Sequence, residues 1–242
     1  MYSIDLNCDV GEGVADEAAI MPLISSCSIA CGGHYGHLKS IKNAVAMALD
    51  YGVAIGPHPA YPDPQNFGRK SMDISLEELQ IALRKQLDLF WKVSDDVNHI
   101  KPHGALYNDL FSDNDKGEAL LAVFKEYLPN GKIFCPPNSP WSTLIKKAGF
   151  IPVLEGFGDR SYCNDGKLLD RTIAGSVLND KKEVIDQITQ MIKNKSVTTF
   201  ENQIIPMDVQ TICLHGDNPE IIKHLKFIKQ QFDLYEIQVK KV

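Results

Sequence analysis

The chain has 242 residues, of which 44% are hydrophobic and 23% charged, and its 25 basic against 31 acidic side chains leave a net charge of −6. Such a composition belongs to a globular chain and excludes disorder as its dominant state. The acidic balance argues against a general electrostatic grip on nucleic acid or an anionic membrane. Apolar runs are too short for a membrane span, and Met1-Tyr2-Ser3-Ile4-Asp5 lacks the basic and apolar regions of a secretory leader, so a cytoplasmic protein is expected. One domain over residues 1–242 is expected, because no low-complexity linker or fixed-period repeat interrupts the chain. The six cysteines, at 8, 27, 31, 135, 163 and 213, include no Cys-x2-Cys pair, and reduced packing thiols are expected.

In chain order, residues 2–6 read as a strand ending in Asn7-Cys8-Asp9, and 25–30 as a second strand ending in Cys31-Gly32-Gly33-His34. Residues 38–51 carry apolar side chains at helical spacing, and Gly52 supplies the stop. A third strand at 53–56 leads into Pro57-His58-Pro59. Ser75 and Glu78 form a capping box opening a helix over about 76–93. A short strand at 98–101 ends in Lys101-Pro102-His103-Gly104, followed by a helix over 114–128 and a strand at 132–135. A short helix at 139–148 precedes a strand at 151–155, which ends in Gly156-Phe157-Gly158-Asp159-Arg160. Residues 160–178 read as an irregular excursion with a tight turn at Asp165-Gly166, 180–194 as a helix, and 197–206 as a hairpin or lid. The last strand, 210–214, ends in His215-Gly216-Asp217, and the helix at 218–231 is expected to open with Asn218 as cap and Pro219 at its first position.

About seven strand-then-helix units predict a parallel sheet, closed or partly closed into a barrel, with helices outside. In every unit the polar and glycine-rich residues follow the strand, at the end where α/β folds build their sites. Asp5, Asn7, Asp9, Glu12, His34, His37, His58, His103, Asp159, His215 and Asp217 all fall at or just past strand ends. Asp5, Asn7 and Asp9, at period two, can share one strand face and aim inward. Imidazoles converging on a barrel mouth suit proton transfer near neutral pH or ligation of a divalent ion. No His-Glu-x-x-His spacing fixes a metal, so Asp9, His34 and His58 stand only as candidate ligands. Arg69, Lys101, Arg160 and Arg171 lie near these motifs and are candidates for holding an anion. A P-loop, a dinucleotide-binding glycine motif and a hydrolase nucleophile elbow are all absent.

Read in order, the strand-end motifs are DLNCDVGEG (5–13), IACGGHYGH (29–37), GPHPAYPD (56–63), IKPHGALYN (100–108), EGFGDRSY (155–162) and CLHGD (213–217), with FGRKSM (67–72) between them. This series resembles the LamB/YcsF family. The resemblance covers nearly the whole chain and implies a distorted seven-stranded β/α barrel of the glycoside hydrolase/deacetylase type. It also implies the role of the A-type component of an ATP-dependent 5-oxoprolinase working with separate subunits B and C. The reaction implied is 5-oxo-L-proline + ATP + 2 H2O → L-glutamate + ADP + phosphate, with Mg2+ accompanying ATP. By the same resemblance, Asp9, His34, His58, His103, His215 and Asp217 belong to the catalytic mouth; Lys101, Arg69 and Arg160 are the residues expected beside it to hold phosphate or substrate oxygens, a role the family motif does not itself assign. The family pattern near 30–38 is closer to ACGFHAGDP; this chain has Gly33, Tyr35, His37 and Leu38 in place of Phe, Ala, Asp and Pro. Two other readings fit the same residues: a metal-dependent deacetylase-like amide hydrolase, and a non-catalytic member of the same complex.

Overall fold

The computed structural model describes residues 1–14, 16–216, 218 and 220–242. The elements in chain order are β1 (Tyr2–Val10), α1 (Glu17–Ile20), β2 (Ser26–Ala30), α2 (Leu38–Asp50), β3 (Ala54–His58), α3 (Leu76–Trp91), β4 (His99–Ile100), α4 (Gly104–Asp109) and α5 (Asn114–Tyr127). They continue with β5 (Lys132–Cys135), α6 (Pro140–Lys147), β6 (Ile151–Phe157), α7 (Lys181–Asn194), β7 (Ser196–Thr198), β8 (Ile204–Pro206), β9 (Thr211–Leu214), α8 (Ile221–Leu234) and β10 (Ile237–Val239).

Seven parallel strands form the sheet in the order β3-β2-β1-β9-β6-β5-β4. The seam between β3 and β4 is closed by backbone bonds from Asn98 N–H to Ile55 O (2.9 Å) and His103 N–H to Pro59 O (2.9 Å). The result is a nearly closed barrel. Gly56 makes that approach possible, since a Cβ there would stand 2.1 Å from the His99 carbonyl oxygen. β10 adds to the start of β1, pairing Tyr2 with Ile237 and Ile4 with Val239.

Helix starts follow local capping chemistry. Ser75 and Glu78 form the expected box on α3, Asp113 and Asp180 cap α5 and α7, and Ser139 caps α6 with Pro140 in its first turn. The apolar core lies in two clusters between sheet and helices. One joins β1, β2 and β9 to α2, α7 and α8; the other joins β4 and β5 to α3, α5 and α6.

Inside the barrel the pattern inverts. Ile4, Leu6, Cys8 and Val10 of β1 belong to the outer apolar cluster. Asp5, Asn7 and Asp9 face inward, all buried, and bond to side chains on other strands or, for Lys101, just past the end of one. This explains why β1 runs to Val10 rather than stopping near residue 6: its polar side chains find partners within the barrel, so alternation continues.

Other differences are local. The short α1 and α4 and the three-residue β10 go beyond the expected elements, being too brief to show a period. α8 starts at Ile221 rather than 218, because Asn218 Oδ1 accepts the Glu220 N–H (2.9 Å) in a turn before the helix. Pro219, expected at the first position, lies outside the described residues. Segment 197–206 does form a hairpin, β7 against β8. The 160–178 excursion turns at Gly166, whose φ is +85°.

Candidate active site

A cavity of about 550 Å³ opens at the C-terminal ends of the strands. Asp9, Glu12, His58, Arg69, Lys101, His103, Tyr107, Glu155, Phe157, Arg160, Arg171 and His215 are among the residues that line it. Of the residues expected to act in catalysis or anion binding, all that the structure describes except His34 are on this wall, and His34 lies directly behind it. Asp217 lies outside the described residues.

The central feature is a buried ammonium. Lys101 Nζ stands 2.8 Å from Asp9 Oδ1, 3.0 Å from Glu155 Oε1, 3.3 Å from Asn7 Oδ1 and 3.1 Å from Cys213 Sγ. Burial alone would depress its pKa, but the Asp9 and Glu155 carboxylates outweigh burial and hold it well above the usual lysine range. Burial would likewise raise the Asp9 carboxyl, and His58 and Lys101 instead hold it well below the usual range. Lys101 therefore organises two carboxylates from across the barrel. The Cys213 thiol is pushed well up by burial despite Lys101, which makes it a packing group rather than a nucleophile. The same applies to Cys8 and Cys31, both raised by burial.

Beside this ion cluster sit three imidazoles. His58 Nδ1 faces the Lys101 carbonyl oxygen at 2.8 Å, and His103 Nε2 faces the Phe67 carbonyl oxygen at 3.0 Å. Each carbonyl can only accept, so these nitrogens carry the protons. The remaining nitrogens, His58 Nε2 and His103 Nδ1, then face each other at 2.9 Å as two lone pairs. One positive particle, a proton or a cation, must lie between them. Asp9 Oδ2 is 3.3 Å from His58 Nε2 and Glu12 Oε1 is 3.5 Å from His103 Nδ1, so carboxylates flank the same point. His34 stacks on His103 with ring centroids 3.6 Å apart and bonds Glu12 Oε1 at 2.8 Å. Burial drives the His34 pKa down to about 3 and lowers His103 well below its usual value.

Two overlapping sets of donor atoms could hold a divalent ion: Asp9, His58 and His103, and Glu12, His34 and His103, each with its atoms within 4.8 Å of one another. The sequence grouping of Asp9, His34 and His58 is thereby divided, with His103 the shared member. Carboxylate oxygens with imidazole nitrogens suit a borderline ion such as Zn2+. The facing lone pairs are the feature such an ion would satisfy.

Beside Asp9, just past the end of the neighbouring strand β9, is an Asp–His dyad. His215 Nδ1 lies 2.8 Å from Asp159 Oδ1, and the His215 backbone N–H bonds Asp159 Oδ2 at 3.1 Å. Burial would raise the Asp159 carboxyl, but His215 holds it below its usual value. The His215 ring stacks on Phe157, with centroids 5.2 Å apart. Orientation by a buried carboxylate fixes the tautomer with Nε2 as the base, the arrangement that proton transfer needs.

The remaining cations differ in their duties. Arg160 donates from Nε to the Ser176 carbonyl (3.0 Å) and from Nη2 to the Leu169 carbonyl (2.5 Å), and so pins the 160–178 excursion over the cavity. Burial lowers its pKa to about 10. Arg69 lies over the Phe67 ring, 5.0 Å from its centroid, at the cavity edge.

Asp5 sits below the site, accepting from Ser25 (2.7 Å), Ser26 (2.6 Å) and Thr211 (2.5 Å), which makes it a structural anchor. His37 is exposed and points elsewhere: its Nδ1 accepts the Ser40 N–H at 3.1 Å and caps α2. The exchange of Asp-Pro for His37-Leu38 therefore alters a helix cap and first-turn residue, away from the cavity. Sequence reasoning missed Glu155 and Tyr107. A carboxylate within the otherwise apolar β6 run was the available signal for Glu155; Tyr107 gave none, since a tyrosine on a short helix is ordinarily packing.

The LamB/YcsF family profile matches residues 4–242. The chain belongs to the LamB/YcsF family. Among solved structures, the lactam utilization protein from Thermus thermophilus is 29% identical over 99% of this chain and 100% of that one, with a TM-score of 0.90. A putative cellobiose-phosphate cleavage protein from Enterococcus faecalis is similar at 13% identity, covering 99% of this chain and 97% of that chain, TM-score 0.61. A family 4 carbohydrate esterase from Streptomyces lividans shares the fold at 10% identity, covering 100% and 93%, TM-score 0.50. Among the described residues, no helix is long and apolar enough to cross a membrane.

Proposed function

We propose that this chain is the A-type component of an ATP-dependent 5-oxoprolinase, opening the lactam of 5-oxo-L-proline to L-glutamate with partner subunits B and C. Family membership and likeness to the Thermus lactam utilization protein support a lactam substrate. The single observation that carries the chemistry is the Asp159–His215 dyad set beside the buried Asp9–Lys101–Glu155 cluster in one cavity.

An unactivated lactam resists water. Phosphorylation of its carbonyl oxygen by ATP–Mg2+ creates a leaving group and an electrophilic carbon, and water then adds with His215 Nε2 taking its proton. Arg69 and Arg171, on the cavity wall, suit the substrate carboxylate or the phosphate. The chain carries no phosphate-cradling motif of its own, which is why the partner subunits enter the proposal.

Glutamate release from 5-oxoproline, assayed with and without ATP–Mg2+ and with and without subunits B and C, tests this reading. Glutamate that requires both ATP and this chain is expected. Its absence from the complete, associated mixture overturns the proposal.

The facing lone pairs of His58 and His103 favour a second reading, a metal-dependent amide hydrolase. That reading expects a stoichiometric divalent ion by elemental analysis and amide cleavage without ATP.

A further inference from the structure

Buried polar atoms are almost always hydrogen-bonded, so an orphan on a cavity wall marks a place where a ligand belongs. Two such orphans lie together here. Glu155 Oε2 and the Tyr107 hydroxyl are both buried, in side chains 1% and 4% exposed that both line the cavity, and neither has a partner of good geometry beyond the weak contact each makes with the other. Each is held rigidly. The other Glu155 oxygen is fixed by Asn7 Nδ2 and Lys101 Nζ, both at 3.0 Å. The Tyr107 ring packs edge-on against Phe157, centroids 5.6 Å apart. Burial and then the neighbouring Glu155 charge push the phenol well above its usual range, so it presents a proton.

The pair thus offers an acceptor and a donor side by side. An ordinary acyclic amide is trans, with its N–H and C=O on opposite edges. A small-ring lactam is forced cis, so both groups lie on one edge. An adjacent acceptor and donor complement that edge and cannot both be satisfied by a trans amide.

We propose that Glu155 and Tyr107 read the cis-amide edge of a small-ring lactam, Glu155 Oε2 accepting its N–H and the Tyr107 hydroxyl donating to its carbonyl oxygen. The inference rests on the lactam reading above and adds how the substrate is chosen and turned. It aims the carbonyl at a phenol that can support charge on its oxygen, and it makes Glu155 and Tyr107 specificity-determining residues.

The test is calorimetric titration of the purified chain, alone and with its partner subunits, with three probes: 5-oxoproline, its N-methyl derivative and the acyclic N-acetylalanine. Wild type is expected to bind 5-oxoproline at least about tenfold more tightly than either analogue, since each analogue leaves a buried group unpaired. Tyr107→Phe is expected to weaken 5-oxoproline binding by about tenfold while N-acetylalanine binding stays the same. Glu155→Gln, whose amide can present N–H where the carboxylate presented only oxygen, is expected to erase the penalty for N-methylation. Thermal melts of both variants establish that they fold. Equal binding of all three probes, no binding of any, or unchanged discrimination in both folded variants overturns the inference.

The two proposals fail separately. Selective lactam binding without ATP-dependent glutamate keeps this inference and removes the hydrolysis reading. ATP-dependent glutamate formed by both variants at the wild-type KM does the reverse.

Discussion

His215 is the residue whose chemistry is simplest to isolate, because its ring is oriented by the buried carboxylate of Asp159. His215→Gln keeps a polar side chain of similar reach but cannot hold a proton near neutral pH. A loss of roughly 10²–10⁴ in kcat with little change in KM is expected, read from steady-state glutamate formation by the complete complex. An unchanged kcat would remove His215 from proton transfer. His99 makes a contrasting case, a histidine with no access to the cavity. It bonds Ser28 Oγ at 3.1 Å and stacks on Phe134, and burial, followed by the Lys101 charge, drives its pKa down to about 3. The folded state then binds fewer protons than the unfolded state between about pH 6.5 and 3. The stability this group contributes is complete above the unfolded value and is lost as pH falls through that window, by about 1.4 kcal/mol per pH unit. Urea denaturation at pH 7, 6, 5 and 4 should show His99→Gln with a slope shallower by one proton than wild type.

At the scale of elements, the cap of α2 decides what the unusual 33–38 loop means. His37 Nδ1 serves as cap acceptor through a geometry that Asp fulfils better, with a charge that also favours the helix N-terminus. His37→Asp is therefore expected to raise stability by about 0.5 kcal/mol and leave turnover unchanged, measured by denaturation midpoint and kcat. Loss of turnover would return this loop to the site. Gly33 differs, because a Cβ there would stand 2.4 Å from Gln86 Oε1, the atom that accepts the Ala60 N–H. A larger residue at 33 needs a different partner at 86, and no single-position reading of the loop could have revealed that. The same division explains what the sequence disclosed. Long periodic segments such as α2, α3 and α7, and strand-end clusters such as His103, were legible because period and capping are local. Glu155 and the His58–His103 contact depend on which strands become neighbours, and Tyr107 on which helix leans over the mouth. Those facts exist only once the barrel closes.

Across the whole molecule, the apolar clusters lie outside the sheet while charge is concentrated within it, and Lys101 of the β4 loop reaches β1, β6 and β9 at once. A buried cation between two carboxylates is worth most as the group whose removal leaves them uncompensated. Lys101→Met is therefore expected to destabilise the fold by about 3–5 kcal/mol at neutral pH, a larger effect than loss of one packing side chain of that size would suggest. The pH dependence supplies the sharper test. In wild type Asp9 is held below its unfolded value, so its contribution is present above the unfolded pKa and is lost as pH falls through the folded one. In the variant Asp9 is buried without that cation, its folded pKa moves up, and the penalty is relieved as pH falls. The deficit of Lys101→Met relative to wild type should thus shrink between pH 7 and pH 5 in urea denaturation. A deficit constant across that range would mean that Lys101 acts through packing of its aliphatic stem. The barrel would then tolerate its buried carboxylates through Asn7 and His58 alone.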